Sequence, residues 1–353
     1  MLVGFGVSAL VVAAGVGASV GVQASLLGLV LAVLPLGVVV PAFLWLDRFE
    51  AEPNRMLVFA FAWGALVAAA GALVINTTSI LVLKGVVPNG PTVAAVVVAP
   101  VVEESLKGLA VLIIAIWRRR HFDGIVDGMV YAGITAAGFA FAENILYLGR
   151  AFNVDGGQGV AAVFFMRAVI GPFAHPLFTI CTGIGLGVAV TTRRAALRIG
   201  APVAGLLLAM MLHATWNLST VAGAKGFLTL YVFLQIPIFA GAIALALWAR
   251  RREGRLIGEQ LTRYAAAGWL SYPEVRMLSS MGDRRRARVW AKLSGGRPAL
   301  HAMEAFQDAA SELAYLRMRV QRGAADDSAA ATELRLLSSV ATRRREFIGS
   351  PAT

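Results

Sequence analysis

The 353-residue sequence has little cysteine, little charge and no zinc-protease motif. Its single cysteine, Cys181, excludes an intramolecular disulfide and a zinc site built from cysteines. No lysine or arginine precedes Arg48, so we expect no cleavable signal peptide, which needs a basic first region. No H-E-x-x-H pattern is present, so no motif establishes a metal. Only 15% of the residues are charged, well below the share in a typical soluble domain.

Apolar residues dominate what is present. They make up 58% of the chain, and the mean hydropathy of +0.73 predicts an all-α, polytopic membrane protein in contact with a lipid bilayer. The net charge of +12 is uneven, because residues 250–353 hold 19 basic and 11 acidic side chains. This excess favours a cytoplasmic segment near anionic lipid headgroups. No nucleic-acid recognition motif accompanies the charge, so nucleic acid is not an expected partner.

Apolar runs long enough to cross a bilayer divide residues 1–249 into about eight predicted spans. Arginines cluster in the loops after spans two, four, six and eight, so the positive-inside rule predicts two cytoplasmic termini. The expected spans are two within Leu2–Leu46 that meet near Gly21–Ser25, then Met56–Leu83, Thr92–Trp117, Gly124–Leu148, Val160–Val190, Ala201–Val221 and Phe227–Trp248. The loop arginines are Arg48, Arg55, Arg118, Arg119, Arg120, Arg193, Arg194, Arg198, Arg250, Arg251 and Arg252.

The basic tail is predicted to be a small helical region, separate from a transmembrane domain over residues 1–249. Two glycine positions, Gly295-Gly296 and Gly323, divide its helix-forming stretches. No catalytic motif lies in it. The predicted helices are Leu256–Leu270, Tyr272–Leu293, Ala299–Arg322 and Asp327–Phe347.

The fourth predicted span contains two adjacent carboxylates and an ammonium, Glu103, Glu104 and Lys107. A charged side chain near the bilayer centre costs about 2.5–3.5 kcal/mol on insertion scales, so ionisable residues there are functional by default. The alternative is a buried ion pair that holds helices together. The spacing places Glu103 and Lys107 on one helical face and Glu104 about 100° away. One carboxylate can then be held by the lysine while the other meets another helix.

Three later spans also carry polar side chains that lipid-facing helices should lack. The fifth has Glu143 and Asn144. On the sixth, His175 lies next to Pro176, which predicts a broken helix that pushes the histidine away from helical geometry. The seventh has His213 and Asn217 on one face. Each could instead be an interhelical hydrogen-bonding residue, as we also read Arg167, but their joint occurrence favours a site.

Peptide hydrolysis fits this set of residues. A carboxylate in a water-poor site has a raised proton affinity, and Lys107 would return it toward an ionised base that activates water. Histidine and asparagine side chains on facing helices could donate to the oxyanion. Alternatively, Glu143, His175 and His213 could join a second glutamate to hold Zn²⁺, which takes nitrogen and oxygen ligands tetrahedrally. The candidate zinc ligands are Glu104, Glu143, His175 and His213.

The four motifs together resemble the PrsW family of bacterial intramembrane proteases, related to the CAAX prenyl protease superfamily. The matching residues are Glu103-Glu104-x-x-Lys107, Phe139-x-x-x-Glu143-Asn144, His175-Pro176-x-x-Thr179 and His213-x-x-Trp216-Asn217, with the acidic Asp47–Pro53 loop.

The resemblance implies cleavage of single-span, membrane-anchored substrates in the bacterial plasma membrane, with anti-sigma factors as the best-known class. It implies that Glu103 and Glu104 activate water and that His213 and Asn217 stabilise the oxyanion or bind metal. Family members are described as metallo- or glutamic-type proteases, and both remain open. The wider superfamily has histidine where this chain has Glu143, so that histidine's role does not transfer.

Two other classes of protein share some of these features. A transporter also uses broken helices and acidic side chains at the bilayer midplane, although no second half repeats the motifs. A catalytically inert scaffold is the third alternative. Loss of cleavage on substitution of Glu103 would separate the three. The sequence predicts neither the oligomeric state nor the individual substrate.

Overall fold

The computed structural model describes residues 2–49, 51–118, 122–323 and 328–348. Two predictions fall partly outside these residues: the loop arginines Arg119 and Arg120 after span four, and the start of the last tail helix at Asp327. Within them the chain is helical, with no β-strand, as the apolar sequence predicts. The chain divides into two compact units, Met1–Asp47 with Glu52–Leu245, and Arg48–Ala51 with Ala246–Thr353.

The first unit is a helical bundle in which four stretches are π-helical rather than α-helical. Its α-helices are α1 (Leu2–Val20), α2 (Val22–Leu46), α3 (Asn54–Ala62), α4 (Ala69–Val86), α5 (Gly90–Val93), α6 (Ala99–Trp117), α7 (Ile125–Phe164), α8 (Ala174–Thr191), α9 (Ala195–Val221), α10 (Gly223–Leu230) and the first part of α11 (Ile236–Ala266). Its π-helices are π1 (Trp63–Ala68), π2 (Ala94–Val98), π3 (Phe165–Ile170) and π4 (Tyr231–Gln235).

Five helical stretches among the described residues are long and apolar enough to cross a membrane, so the chain is an integral membrane protein. Two of them, Val3–Leu46 and Ile125–Thr191, are far longer than one span needs and contain breaks. Helix α6 is not among the five, because the Glu pair and the lysine place three charged side chains in it. The predicted number of about eight spans therefore stays a prediction. The five stretches are Val3–Leu46, Asn54–Val86, Ile125–Thr191, Ala195–Val221 and Gly223–Ala266.

Helix α7 lies in the centre of the bundle, packed against α2 and α8, and α8 packs in turn against α9. Small residues make this packing close. A Cβ atom added to Gly128 of α7 would lie 2.0 Å from the carbonyl oxygen of Gly183 in α8. At Gly133 of α7, the ring of Phe43 from α2 occupies the space that a side chain would take. Close backbone contact of this kind stabilises helix pairs in membranes, where lipid supplies no hydrophobic driving force between helices.

The predicted break in the sixth span exists, but it lies before the histidine rather than at it. The helix ends at Ile170 and α8 begins at Ala174, so the non-helical residues are Gly171–Phe173. His175 and Pro176 occupy the first turn of α8, where the missing N–H of a proline has no helical partner to lose. The prediction that Pro176 pushes His175 out of helical geometry is therefore wrong.

Two carboxyl groups at the ends of the connection between α2 and α3, Asp47 and Glu52, are buried, and Glu52 contacts α7. The backbone N–H of Glu52 donates to Asp47 Oδ2 over 2.7 Å, and the Tyr131 hydroxyl donates to Glu52 Oε2 over 2.5 Å. Burial raises the pKa of Asp47 to about 8 and that of Glu52 to about 10, with the charge on Asp127 acting in the same direction. Both carboxyl groups therefore bind a proton more tightly than they would in water.

The second unit is a small helical domain with its own apolar core, formed by the C-terminal part of α11, α12 (Tyr272–Leu278), α13 (Met281–Arg322) and α14 (Ala329–Ile348). Helix α13 bends at Gly295 and Gly296, where the sequence predicts a division. Phe49 belongs to this core and is 4% exposed. The buried guanidinium of Arg284 lies over its ring and donates to its carbonyl oxygen over 3.3 Å. The sequence gives no indication of this packing.

Candidate active site

Glu104 is the centre of a buried polar network that joins α6, α8 and α9. Its Oε1 accepts from Lys107 Nζ over 2.6 Å and from His213 Nδ1 over 2.9 Å, and its Oε2 accepts from Thr179 Oγ1 over 2.8 Å. Glu104 and Lys107 have no exposed surface. The i,i+4 spacing favoured Glu103 as the partner of Lys107, but the lysine binds Glu104 at i,i+3. Glu104 can reach the lysine on its own helix and the histidine on α9 together.

Glu103 points to a different helix, α4, and keeps one oxygen without a partner. Its Oε1 accepts from Asn76 Nδ2 over 3.0 Å. Its Oε2 is buried, has no hydrogen-bond partner among the described residues, and lies 3.8 Å from His213 Nε2. Because the carboxylate of Glu104 can only accept, the hydrogen of a neutral His213 is on Nδ1 and the lone pair is on Nε2. An acceptor nitrogen and a carboxylate oxygen therefore face each other.

His175 is held from two sides at the start of α8. Its Nδ1 accepts from Lys107 Nζ over 3.3 Å, and its Nε2 lies 2.9 Å from Glu143 Oε2. Glu143 is also ion-paired with Arg167, which donates to Asn144 as well. Glu143 is thus not a free base in this arrangement, because a guanidinium and an imidazole both engage it. Arg167 is confirmed as a partner residue on π3.

A cavity of about 190 Å³ brings these networks together within the first unit. A water molecule takes about 30 Å³ in the liquid, so several fit, or a short piece of peptide. Both carboxylates that line it, Glu103 and Glu143, come from the predicted set. The polar residues in its wall are Asn76, Thr77, Glu103, Glu143, Tyr147, Arg150, Arg167, His175, His213 and Asn217.

Among the described residues, the donor atoms of Glu103, His175 and His213 converge closely enough for a metal ion, all within 4.8 Å of one another. The sequence instead grouped the two histidines with Glu143 and a second glutamate, for which Glu104 was the candidate. Glu104 is taken by the lysine and the threonine, and Glu143 by the arginine, whereas Glu103 keeps Oε2 available. Glu103 thus replaces the predicted glutamates as the candidate ligand, because each carboxylate faces a different helix.

Asn217 lies in the cavity wall, but its amide has another partner. Its Nδ2 donates to the backbone carbonyl of Ala95 over 2.7 Å. Ala95 belongs to π2, where the wider helical turn leaves carbonyl groups without their usual partner, and such segments are frequent at functional sites. The amide has a second N–H, so one donor remains for a ligand.

The sequence reasoning missed Asn76. It is the single amide of its span, directly before three hydroxyl residues (Thr77, Thr78 and Ser79), and it belongs to none of the four motifs. Only the packing of α4 on α6 reveals that it contacts Glu103. Its one available signal was the cost of placing an amide inside a membrane helix.

Comparison with known proteins identifies relatives of the chain. A family model described as PrsW family intramembrane metalloprotease matches residues 52–242, a little over half of the chain. Protease PrsW of Bacillus subtilis (strain 168) is 28% identical over 191 residues, which cover 54% of this chain and 79% of the relative. Protease PrsW of Geobacillus kaustophilus (strain HTA426) is 28% identical over 216 residues, 60% of this chain and 84% of the relative.

A third relative, Protease PrsW of Clostridioides difficile (strain 630), is 34% identical over 140 residues, 39% of this chain and 55% of the relative. No solved structure matches. The family match includes all seven predicted site residues, and it favours a hydrolase over the transporter and the inert scaffold. The chain belongs to the PrsW family of intramembrane proteases.

Proposed function

We propose that the chain cleaves single-span membrane proteins at a peptide bond that enters the cavity beside Glu103. Anti-sigma-factor-like proteins are the substrate class that the family resemblance suggests. The observation that carries the proposal is the buried, unpartnered Oε2 of Glu103 facing His213 Nε2 at 3.8 Å. Two hydrogen-bond acceptors this close in an apolar bundle are unfavourable unless a donor lies between them. A water molecule supplies two O–H donors, one for each acceptor.

Glu103 is the group that takes the proton from the attacking water. Its Oε2 is available for this step, while Asn76 fixes the other oxygen over 3.0 Å. His213 Nε2 accepts the second hydrogen of the same water and so orients its lone pair. A base placed within hydrogen-bond reach contributes about 10²–10⁴ to the rate.

Glu104 positions His213 rather than attacking substrate. Its contacts to Lys107 and Thr179 fix the carboxylate, and the carboxylate holds Nδ1–H of the imidazole over 2.9 Å. A histidine held by a carboxylate in this way keeps one tautomer and one ring orientation. The Nε2 atom therefore stays directed at Glu103. In this proposal the second N–H of Asn217 donates to the oxyanion of the tetrahedral intermediate.

The donor types of the converging trio fit Zn²⁺. Two imidazoles and one carboxylate are the protein ligands of one class of catalytic zinc site. Zinc would change the role of Glu103: Glu103, His175 and His213 would hold the ion, so Glu103 would be a ligand and not the base, and the ion would lower the pKa of its water to about 7. Glu103 Oε2 and His213 Nε2 are available for this, whereas His175 must first give up its contact with Lys107 or Glu143.

Cleavage by the purified chain in liposomes tests the proposed function. The probe is a synthetic single-span peptide, and the measurements are product formation and zinc content. We expect cleavage; its loss after treatment with 1,10-phenanthroline and its recovery on adding zinc, with about one zinc per chain, would make Glu103 a zinc ligand and contradict its role as the base. Absence of cleavage would contradict the peptidase assignment. Cleavage that ignores the chelator, by a protein without zinc, would contradict only the metal and leave the carboxylate as the base.

We also propose a multi-pass location in the bacterial plasma membrane with both termini in the cytoplasm. The support is the arginine distribution, with Arg193, Arg194 and Arg198 between α8 and α9. Reporter fusions after Arg198 and Arg252 are expected to report the cytoplasm, and a fusion at Asn89, in the turn before α5, the opposite side. A cytoplasmic signal at Asn89 would overturn the proposed orientation.

A further inference from the structure

Asn76 contacts the reacting side of the site although it belongs to no recognised motif. It lies on α4, within the apolar stretch Asn54–Val86, and its Nδ2 donates to Glu103 Oε1 over 3.0 Å. The residue also lines the cavity that Glu103 and His213 share. An amide inside a membrane span is costly unless its hydrogen-bonding groups are used. Half of this amide is used on Glu103.

The other half of the amide is left over. Asn76 Oδ1 is buried and has no hydrogen-bond partner among the described residues, as is also true of Glu103 Oε2. The contact with the carboxylate fixes the orientation of the Asn76 amide. A carboxylate can only accept, so the NH₂ group must face Glu103 and the carbonyl oxygen must point away. The carbonyl end therefore stays an acceptor as long as Glu103 is ionised. Two buried acceptors without partners on neighbouring residues of one cavity indicate missing donors.

A peptide bound for cleavage supplies such a donor. In a transmembrane helix every backbone N–H is bonded within the helix, and no water in the bilayer core can replace those bonds. A segment that unwinds to present one peptide bond to Glu103 therefore exposes N–H groups that need acceptors from the protein. Asn76 Oδ1 is a neutral acceptor, and it lies on the residue next to the proposed base.

We propose that Asn76 both positions Glu103 and binds the substrate backbone. Its N–H holds Oε1, which leaves Oε2 for the attacking water, and its Oδ1 accepts a hydrogen bond from a backbone N–H of the peptide in the cavity. This inference rests on the proposed peptidase function. The competing explanation is that Asn76 only joins α4 to α6, in which case its loss changes stability and not recognition of the peptide.

An ester scan of the substrate separates the two explanations. The probe is a synthetic single-span peptide that the wild type cleaves, together with versions in which one backbone amide at a time is replaced by an ester, which has no N–H. The enzymes are the wild type in liposomes, Asn76→Leu, Asn76→Ala, Asn76→Asp and the control Thr78→Val. Thr78 is an exposed residue of α4 whose hydroxyl donates to the Val74 carbonyl of its own helix. The readouts are kcat and KM for each pair, with thermal stability of each variant.

We expect one ester position to lower kcat/KM of the wild type and of Thr78→Val by about three- to tenfold, the effect of one hydrogen bond. The same ester should have no further effect on Asn76→Leu, whose kcat is already reduced because Glu103 is no longer held. Asn76→Ala also lacks the acceptor and should be equally insensitive to the ester, so it tests the inference if the leucine variant does not fold. Asn76→Asp keeps an acceptor and should remain sensitive to the ester, but it should lose kcat because two carboxyl groups this close share a proton.

The outcomes distinguish the inference from the function on which it rests. A wild type that cleaves no probe contradicts the peptidase itself. A wild type that cleaves, with the same ester effects in Asn76→Leu and Asn76→Ala as in the wild type, overturns the binding of the substrate backbone by Asn76 and leaves the peptidase intact. Equal kcat in the wild type and a folded Asn76→Leu variant would overturn the positioning of Glu103.

Discussion

Glu103→Gln is expected to lower cleavage of a single-span probe about 10³-fold, while the protein remains folded in the membrane. Glutamine has nearly the shape of glutamate and can still accept from Asn76 through its carbonyl oxygen. It cannot take a proton from water. The loss should therefore be in kcat, and it is measured by product formation in liposomes alongside thermal stability of the variant.

Glu259→Gln is the matched control, because Glu259 is an exposed glutamate of α11, outside the site. It should cleave at the wild-type rate. Glu104→Gln is a poorer test of the base, since it leaves the ammonium of Lys107 buried without its counter-charge. Breaking a buried pair in this way costs about 3–5 kcal/mol, so lost activity could reflect lost structure. Unimpaired cleavage by a folded Glu103→Gln variant would contradict the assignment of the base.

His213→Asn is expected to lower kcat by about 10²–10³ without unfolding the site. The asparagine amide can take the place of the Nδ1–H that Glu104 accepts, so the buried network keeps its donor. No atom remains in the position of Nε2, so the water beside Glu103 Oε2 loses its second contact. If the trio holds zinc, the bound metal should fall in the same variant. The measurements are kcat in liposomes and zinc content.

The control for this substitution is His301→Asn, since His301 is an exposed histidine of α13 in the second unit. It should leave both kcat and zinc content unchanged. A His213→Asn variant with wild-type kcat and unchanged metal would mean that the histidine only joins α9 to α6. Combining His213→Asn with Asn217→Ala tests whether the two act as a unit, in which case the joint loss is smaller than the product.

The sequence predicts the helical bundle and the residues of the site, but it does not predict which of these residues contact one another. Apolar runs and turn residues are local signals, so the break at Gly21 and the bend at Gly295-Gly296 could be read directly. Polar residues in apolar spans are also conspicuous, which is how Glu103 and His213 were found. What periodicity cannot supply is the partner of each group. It placed Lys107 on the face of Glu103, yet the lysine turns to Glu104, because α8 and α9 pack on that side.

Contacts distant in sequence and backbone irregularities explain what could not be predicted. The approach of α4 to α6 depends on how whole helices pack, so the contact from Asn76 to Glu103 had no local signal. The π-helical turn π2 has an ordinary apolar sequence, yet it presents the Ala95 carbonyl that Asn217 binds. The packing of Phe49 into the second unit joins residues more than 200 positions apart. A single sequence carries no information on such pairs.

The most direct test of Glu103 as the base that activates water is cleavage of the single-span probe in liposomes prepared in H₂¹⁸O, with the products analysed by mass spectrometry. This role predicts cleavage at a peptide bond within the membrane-spanning part of the probe, with one ¹⁸O atom in the new carboxyl terminus. It predicts no such product from Glu103→Gln beside a fully active Glu259→Gln control. Equal ¹⁸O-labelled product from the wild type and from a folded Glu103→Gln variant would contradict it.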